Sequence, residues 1–251
     1  RMVADPIYPH LHKEWWLTPF TLGDFESMKI GLRRAILRFN SGVSFLCNSF
    51  ASGNLLSLAK IARECGAQSV TISPCTPSFS KEGVDSMGML GLGELVTNFT
   101  SEYEEINTLF AEKLTFAIKT PLCIWPQEFI EKLLRRKQLR ATCQFQYRSG
   151  IIFDPIGQVS ACNSLANFPM GMIDENYNNA ESLIRIFNSD SVVRVYNHMN
   201  SYPSEICVDC PNNSLCRGGC PLMWSVHDPK KSIPGWNVGN RKEVKDRNNF
   251  C

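Results

Sequence analysis

The sequence predicts an α/β chain that ends in a small cysteine-rich lobe. Three observations predict it. Val43–Phe50 (VSFLCNSF) and Ser69–Pro74 (SVTISP) are nearly continuous apolar runs of strand length, separated by a helical pattern. That is the spacing of a βαβ unit with buried parallel strands. Ile151–Cys162 (IIFDPIGQVSAC) holds two short β runs around Asp154-Pro155-Ile156-Gly157, which are hairpin turn residues. Cys207, Cys210, Cys216 and Cys220 then fall within fourteen residues, spaced C-x2-C-x5-C-x3-C. Such spacings let a tight turn bring thiolates onto one metal centre, and both iron–sulfur clusters and structural zinc use them. Gly218 and Gly219 allow the backbone to bend closely there.

The bulk numbers agree with a metal-bearing globular chain. Its 251 residues suffice for one large domain or two smaller ones. A formal net charge of +2 gives no reason to expect nucleic acid or a membrane surface as partner. No apolar run approaches bilayer-spanning length, and no signal peptide is visible. Of eleven cysteines, seven fall at or after Cys143. A disulfide scaffold is usually a short secreted chain with cysteines throughout. Here a long, cysteine-poor, helix-rich segment comes first, which fits a reducing, cytoplasmic compartment and a metal site better than a disulfide knot.

In chain order, residues 1–20 hold Pro6, Pro9, Pro19, His10 and His12 and read as a loop with exposed histidines. Phe25, Met28, Ile30, Leu32, Ala35, Ile36 and Phe39 recur near a 3.6 period and predict a helix. Ser52-Gly53-Asn54 opens a second helix over 55–65, which Gly66 stops. Residues 76–95 are glycine-rich, follow neither period, and read as a long loop over the strand ends, where such units place ligand sites. A helix follows over 101–113, with Glu102, Glu104 and Glu105 at the positive end of its dipole. A third strand spans 115–124, broken by Pro121, and a helix spans 126–139 whose Lys132, Arg135, Arg136 and Lys137 make a solvated basic face. Short helices over 180–187 and 192–199 precede the cysteine run. The domains divide at 140/141.

The cysteines as a set resemble a known motif. Cys143, Gly157-x4-Cys162, Cys207-x2-Cys210-x5-Cys216-x3-Cys220 and Cys251 are similar to the seven-cysteine SPASM motif of radical S-adenosylmethionine (SAM) enzymes. Residues 43–79 resemble, more weakly, the fourth strand, helix and fifth strand of the partial (β/α) barrel in sulfatase-maturase-like relatives, and 5–25 the segment after the third strand. The resemblance implies the C-terminal half of such a barrel over 1–140 and an auxiliary-cluster domain over 141–251. It implies two auxiliary [4Fe–4S] clusters, the outer on Cys207, Cys210, Cys216 and Cys251, the inner on Cys143, Cys162 and Cys220. Some relatives add an eighth cysteine where this chain has Ser149, so the inner cluster is expected to keep an open site unless a spare thiol such as Cys123 completes it. Asn48, Ser49, Ser52 and Cys75 stand where the family contacts SAM. Cys47, Cys65 and Cys123 otherwise read as buried small hydrophobes.

The family's radical-generating C-x3-C-x2-C is absent from this sequence. It is expected upstream, with the chain a trimmed fragment rather than a degenerate relative. The expected function is part of an oxidoreductase that modifies a peptide or protein through a 5′-deoxyadenosyl radical. The intact protein would carry SAM, a third [4Fe–4S] cluster and an electron donor such as flavodoxin or ferredoxin. The competing readings are an iron–sulfur electron-transfer or peptide-binding module without radical chemistry, and a structural zinc protein.

Overall fold

The computed structural model describes residues 14–17, 22–39, 42–49, 51–86, 88–141, 143–200, 207 and 210–233. His10, His12 and Cys251 lie outside them. The first elements are β1 (Glu14–Leu17), α1 (Leu22–Phe39), β2 (Gly42–Cys47), α2 (Leu55–Glu64), β3 (Val70–Pro74), β4 (Ser78–Ser80) and β5 (Gly83–Asp85). There follow α3 (Leu92–Ser101), α4 (Tyr103–Phe110), β6 (Leu114–Phe116), α5 (Gln127–Arg135), β7 (Ile152–Phe153), β8 (Gln158–Ser160) and β9 (Gly171–Met172). Four helices, α6 (Ala180–Phe187), α7 (Asp190–Asn200), α8 (Asn213–Cys216) and α9 (Pro229–Ser232), complete the order. The chain divides into two units. The first is drawn from 1–75, 88–117 and 128–140, the second from 76–87, 118–127 and 141–251.

The first unit is α/β. Its sheet is parallel, in the order β1-β2-β3-β6, with Val43 opposite Val70 and Val70 opposite Leu114. Every residue of β3 is buried, as are all of β2 but Leu46, which explains why both read as continuous apolar runs. On α2, Leu55, Leu58, Ala59 and Ala62 form the buried stripe of an amphipathic helix. Phe99 of α3, Tyr103 of α4, Phe116 of β6 and Phe129 of α5 make an aromatic cluster with ring centroids 5.3 to 5.9 Å apart.

Several expectations are corrected here. Glu14–Leu17 is a strand, not loop: its backbone pairs with β2, an arrangement that the neighbouring prolines concealed. The stretch 76–95 is not one long loop. It holds the β4–β5 hairpin and the start of α3, whose buried Leu95 and Phe99 sit at helical spacing. The helix expected over 101–113 is α4 followed by a 3-10 turn, because Glu102 breaks the regular geometry between α3 and α4. The third strand is only β6, since Pro121 leads into a 3-10 turn over Leu122–Ile124. On α1, Leu32 and Ile36 are buried but Ile30 is 68 % exposed, so the apolar stripe is narrower than its composition suggests. Of the basic residues expected on one helix face, Lys132 of α5 and Arg136, just past its end, both pair with Glu104.

The second unit is built on the antiparallel sheet β7-β8-β9. The Asp154 carboxylate accepts the N–H groups of Ile156 and Gln158, which closes the hairpin turn. Gly157 (φ +86°) has no room for a side chain, because a Cβ would lie 2.2 Å from Ile173 Cγ2. Phe145, Ala161, Val192 and Tyr196 form its core, with Cys143 and Cys162 packed against them. Asn179 and Ser182 cap α6 reciprocally. Among the described residues no helix is long and apolar enough to cross a membrane.

Candidate metal centres

The turn from Cys216 to Cys220 is the centre of the second unit. Arg217, Gly218 and Gly219 all adopt left-handed backbone, with φ of 45°, 73° and 76°. This frees their carbonyls from helical pairing, and each finds a donor. The Gln146 amide donates to the carbonyls of Arg217 (3.0 Å) and Gly219 (2.6 Å). The Trp224 indole donates to Gly218 O at 3.1 Å. Arg217 donates back to Gln146 O at 2.9 Å and stacks 3.9 Å above the Tyr147 ring. Tyr147 in turn donates to the Ser214 carbonyl.

Segment 118–127 lies directly on this turn. The Cys220 N–H donates to Lys119 O at 2.6 Å. The Leu122 N–H donates to Cys216 Sγ at 3.3 Å. A Cβ on Gly219 would stand 2.7 to 2.8 Å from Thr120 C, Lys119 O and Pro121 N. Only glycine permits that approach, and the positive φ adds a second reason for it.

The thiols of the second unit fall into two groups. Cys207, Cys210 and Cys216 line one narrow pocket, and Cys123 lines it with them. Cys143, Cys162 and Cys220 form the other group, near enough for the Cys143 thiolate to act on Cys162 and Cys220, and for Cys162 to act on Cys220. Burial pushes the Cys220 thiol up to about 12, with Cys143 and Cys162 adding to it. Burial also raises Cys162, against the opposing pull of hydrogen bonds from Ser164 and the charge of Lys119. Tyr196 belongs beside this second group. It is 1 % exposed, its hydroxyl finds no hydrogen-bond partner among the described residues, and burial pushes its titration up against the charge of Arg148, with Cys162 and Cys143 adding to the rise.

All ten described cysteines are thiols rather than disulfides. Among the described residues, no three His, Cys, Asp or Glu side chains are already gathered to hold a metal ion. Drawing several thiolates together is unfavourable until a cation offsets their charge. The donor sets nevertheless fit iron–sulfur centres. Thiolates are soft ligands suited to iron. A backbone N–H already points at one sulfur, and an unpartnered hydroxyl lies beside the other group, the kind of outer contact that tunes a cluster.

Two expectations about single cysteines change. Cys123 is not a buried small hydrophobe but half-buried, and it stands with Cys207, Cys210 and Cys216 rather than with Cys143, Cys162 and Cys220. No spacing rule links it to the motif, so the sequence carried no signal for it beyond a thiol shortly before the lobe. Tyr196 likewise reads in sequence as one more apolar position of a helix. Cys47 and Cys65 are buried as expected. Ser149 is exposed.

In the first unit, Asn48, Ser49, Ser52 and Cys75 gather at the carboxyl ends of β2 and β3. Asn48 is buried and accepts the Ala51 N–H at 2.9 Å, a turn-closing role. The Ser49 N–H donates to Gly88 O at 2.9 Å. Ser52 Oγ donates to Glu94 at 2.8 Å and accepts from Asn98 at 2.7 Å. The Cys75 N–H donates to Cys47 O at 3.0 Å, and burial raises the Cys75 thiol. No family model, curated protein or solved structure matches the chain.

Proposed function

We propose that this chain is the auxiliary-cluster portion of a radical SAM enzyme, which oxidatively modifies a peptide or protein substrate through a 5′-deoxyadenosyl radical. One observation supports this above the others. Among the described thiols of the second unit, Cys207, Cys210 and Cys216 line one pocket together with Cys123, and Cys143, Cys162 and Cys220 form a second group; this supports two separate thiol sets as the resemblance to the SPASM motif implies, with Cys123 added to the first and Cys251 outside the described residues.

On this reading each group holds one [4Fe–4S] cluster, and the clusters when bound relay electrons taken from the substrate. The protein's own part is positional. Gln146, Trp224 and Arg217 hold the turn that presents Cys216 and Cys220 to opposite groups. Leu122 donates its N–H to the Cys216 sulfur, and Tyr196 offers its hydroxyl to the group around Cys162. With three thiolates assigned, the inner cluster keeps one iron for substrate or water. Asn48, Ser49, Ser52 and Cys75 would face SAM at the strand ends, where such folds bind ligands. The substrate is a peptide or protein, and the electron donor a flavodoxin or ferredoxin.

Anaerobic purification and reconstitution test the reading. The protein should be brown, with iron and acid-labile sulfide near ~8 each per chain, as two four-iron clusters require. A colourless protein holding stoichiometric zinc would overturn it.

A further inference from the structure

We propose that Cys123 is the fourth thiolate of the outer centre, completing the set made by Cys207, Cys210 and Cys216. The inference deepens the reading above, on which it rests for the identity of the metal. The four thiols line one pocket together with Pro121 and Gly218. Cys123 reaches that pocket through a backbone route held at two points. Lys119 accepts the Cys220 N–H at 2.6 Å, and Leu122, the residue directly before Cys123, donates to the sulfur of Cys216 at 3.3 Å. Gly219 lacks the Cβ that would hold segment 118–127 away. Pro121 then leads into the 3-10 turn that carries Cys123. The placement is thus built by the same contacts that shape the Cys216–Cys220 turn.

The chemistry is that of a thiophilic centre. Four thiolates complete the protein ligation of a four-iron cluster, and equally that of a tetrahedral single ion. As the sulfur–metal bond forms, Cys123 gives its proton to solvent and no electron is exchanged. The consequence is specific: the outer centre does not require Cys251.

Differential alkylation tests this on the unaltered chain, so the result does not depend on a variant folding. The chain is treated with iodoacetamide before and after anaerobic loading with iron and sulfide, and each cysteine is read by mass spectrometry. Loading should protect Cys123 together with Cys207, Cys210 and Cys216. Cys123 labelled equally in both states, with Cys251 protected instead, overturns the assignment. A second arm loads Co2+, whose spectrum reports sulfur ligation. Cys123→Ser should weaken Co2+ binding by more than about a hundredfold, beyond the ~10–100-fold loss expected of an outer-shell partner, and lower the sulfur-to-cobalt charge-transfer band, while Cys251→Ser leaves both unchanged. The reverse pattern overturns the proposal. If the chain takes up no iron or sulfide but shows a Co2+ spectrum that Cys123→Ser abolishes, the ligand stands and the iron–sulfur reading falls. If iron and sulfide enter and Cys123 stays labelled, the reading stands and the ligand falls. If neither metal protects Cys123, both fall.

Discussion

Among the described residues the buried Tyr196 hydroxyl has no hydrogen-bond partner, and it lies near Cys162 and Cys143. Leaving such a group unsatisfied costs about 1–3 kcal/mol, so the site is built for an acceptor. A donated hydrogen bond favours the more negative, reduced form of a cluster. Tyr196→Phe should therefore lower the midpoint potential of the proposed inner cluster without changing its iron content. An EPR-monitored redox titration checks this, and an unchanged potential would leave the hydroxyl without a role there. Protonation supplies a second residue-scale expectation. Burial pushes Cys47 and Cys220 from the ordinary 9.0 to about 12. Above pH 9 the metal-free folded chain thus keeps protons that the unfolded chain is losing. Stability from this source is complete below about pH 9 and drains as pH climbs towards 12. Denaturant midpoints of the metal-free protein should fall between about pH 8 and about pH 10.5, and the fall should shrink in Cys47→Ala/Cys220→Ala.

Helix termini show how elements borrow from one another. The N-terminus of α2 follows Asn54, whose side chain makes no capping bond to the first turn. Its orphan donor at Leu56 is met instead by the Glu102 carboxylate, 2.9 Å away and from the junction of α3 and α4. The sequence places Glu102 in the first turn of its own helix, where it would favour that dipole. The fold uses it as a cap supplied from another element. Glu102→Ala should cost about 1 kcal/mol, the usual worth of an N-cap. Thermal unfolding would read this directly, and a neutral result would mean water replaces the carboxylate. The element boundaries missed from sequence have similar causes. α3 begins beside glycines that mask its Leu95–Phe99 spacing, and β6 ends at Phe116, well before Pro121 and earlier than its apolar run suggests.

For the whole molecule, the expected outcome is that this chain alone does not produce 5′-deoxyadenosine from SAM. It has no C-x3-C-x2-C to offer SAM an open iron. Production above a protein-free control, measured by chromatography, would contradict the proposed division of labour. The α/β class with parallel strands, the hairpin and the cysteine spacing were legible because each is written in residues close together in the chain. Alternation, helical period, Asp154 with Gly157, and C-x2-C-x5-C-x3-C are local patterns, and local geometry turns them into elements without reference to anything distant. Tertiary structure alone decided which distant groups meet. It made Glu14–Leu17 a strand by giving it β2 as a partner, carried the Glu102 carboxylate to Leu56, and brought Cys123 beside Cys207, Cys210 and Cys216. Each depends on how closely two backbones approach. At Cys123 that approach is set by a missing Cβ on Gly219 and a hydrogen bond from Leu122 to Cys216, contacts between residues that no period or spacing connects.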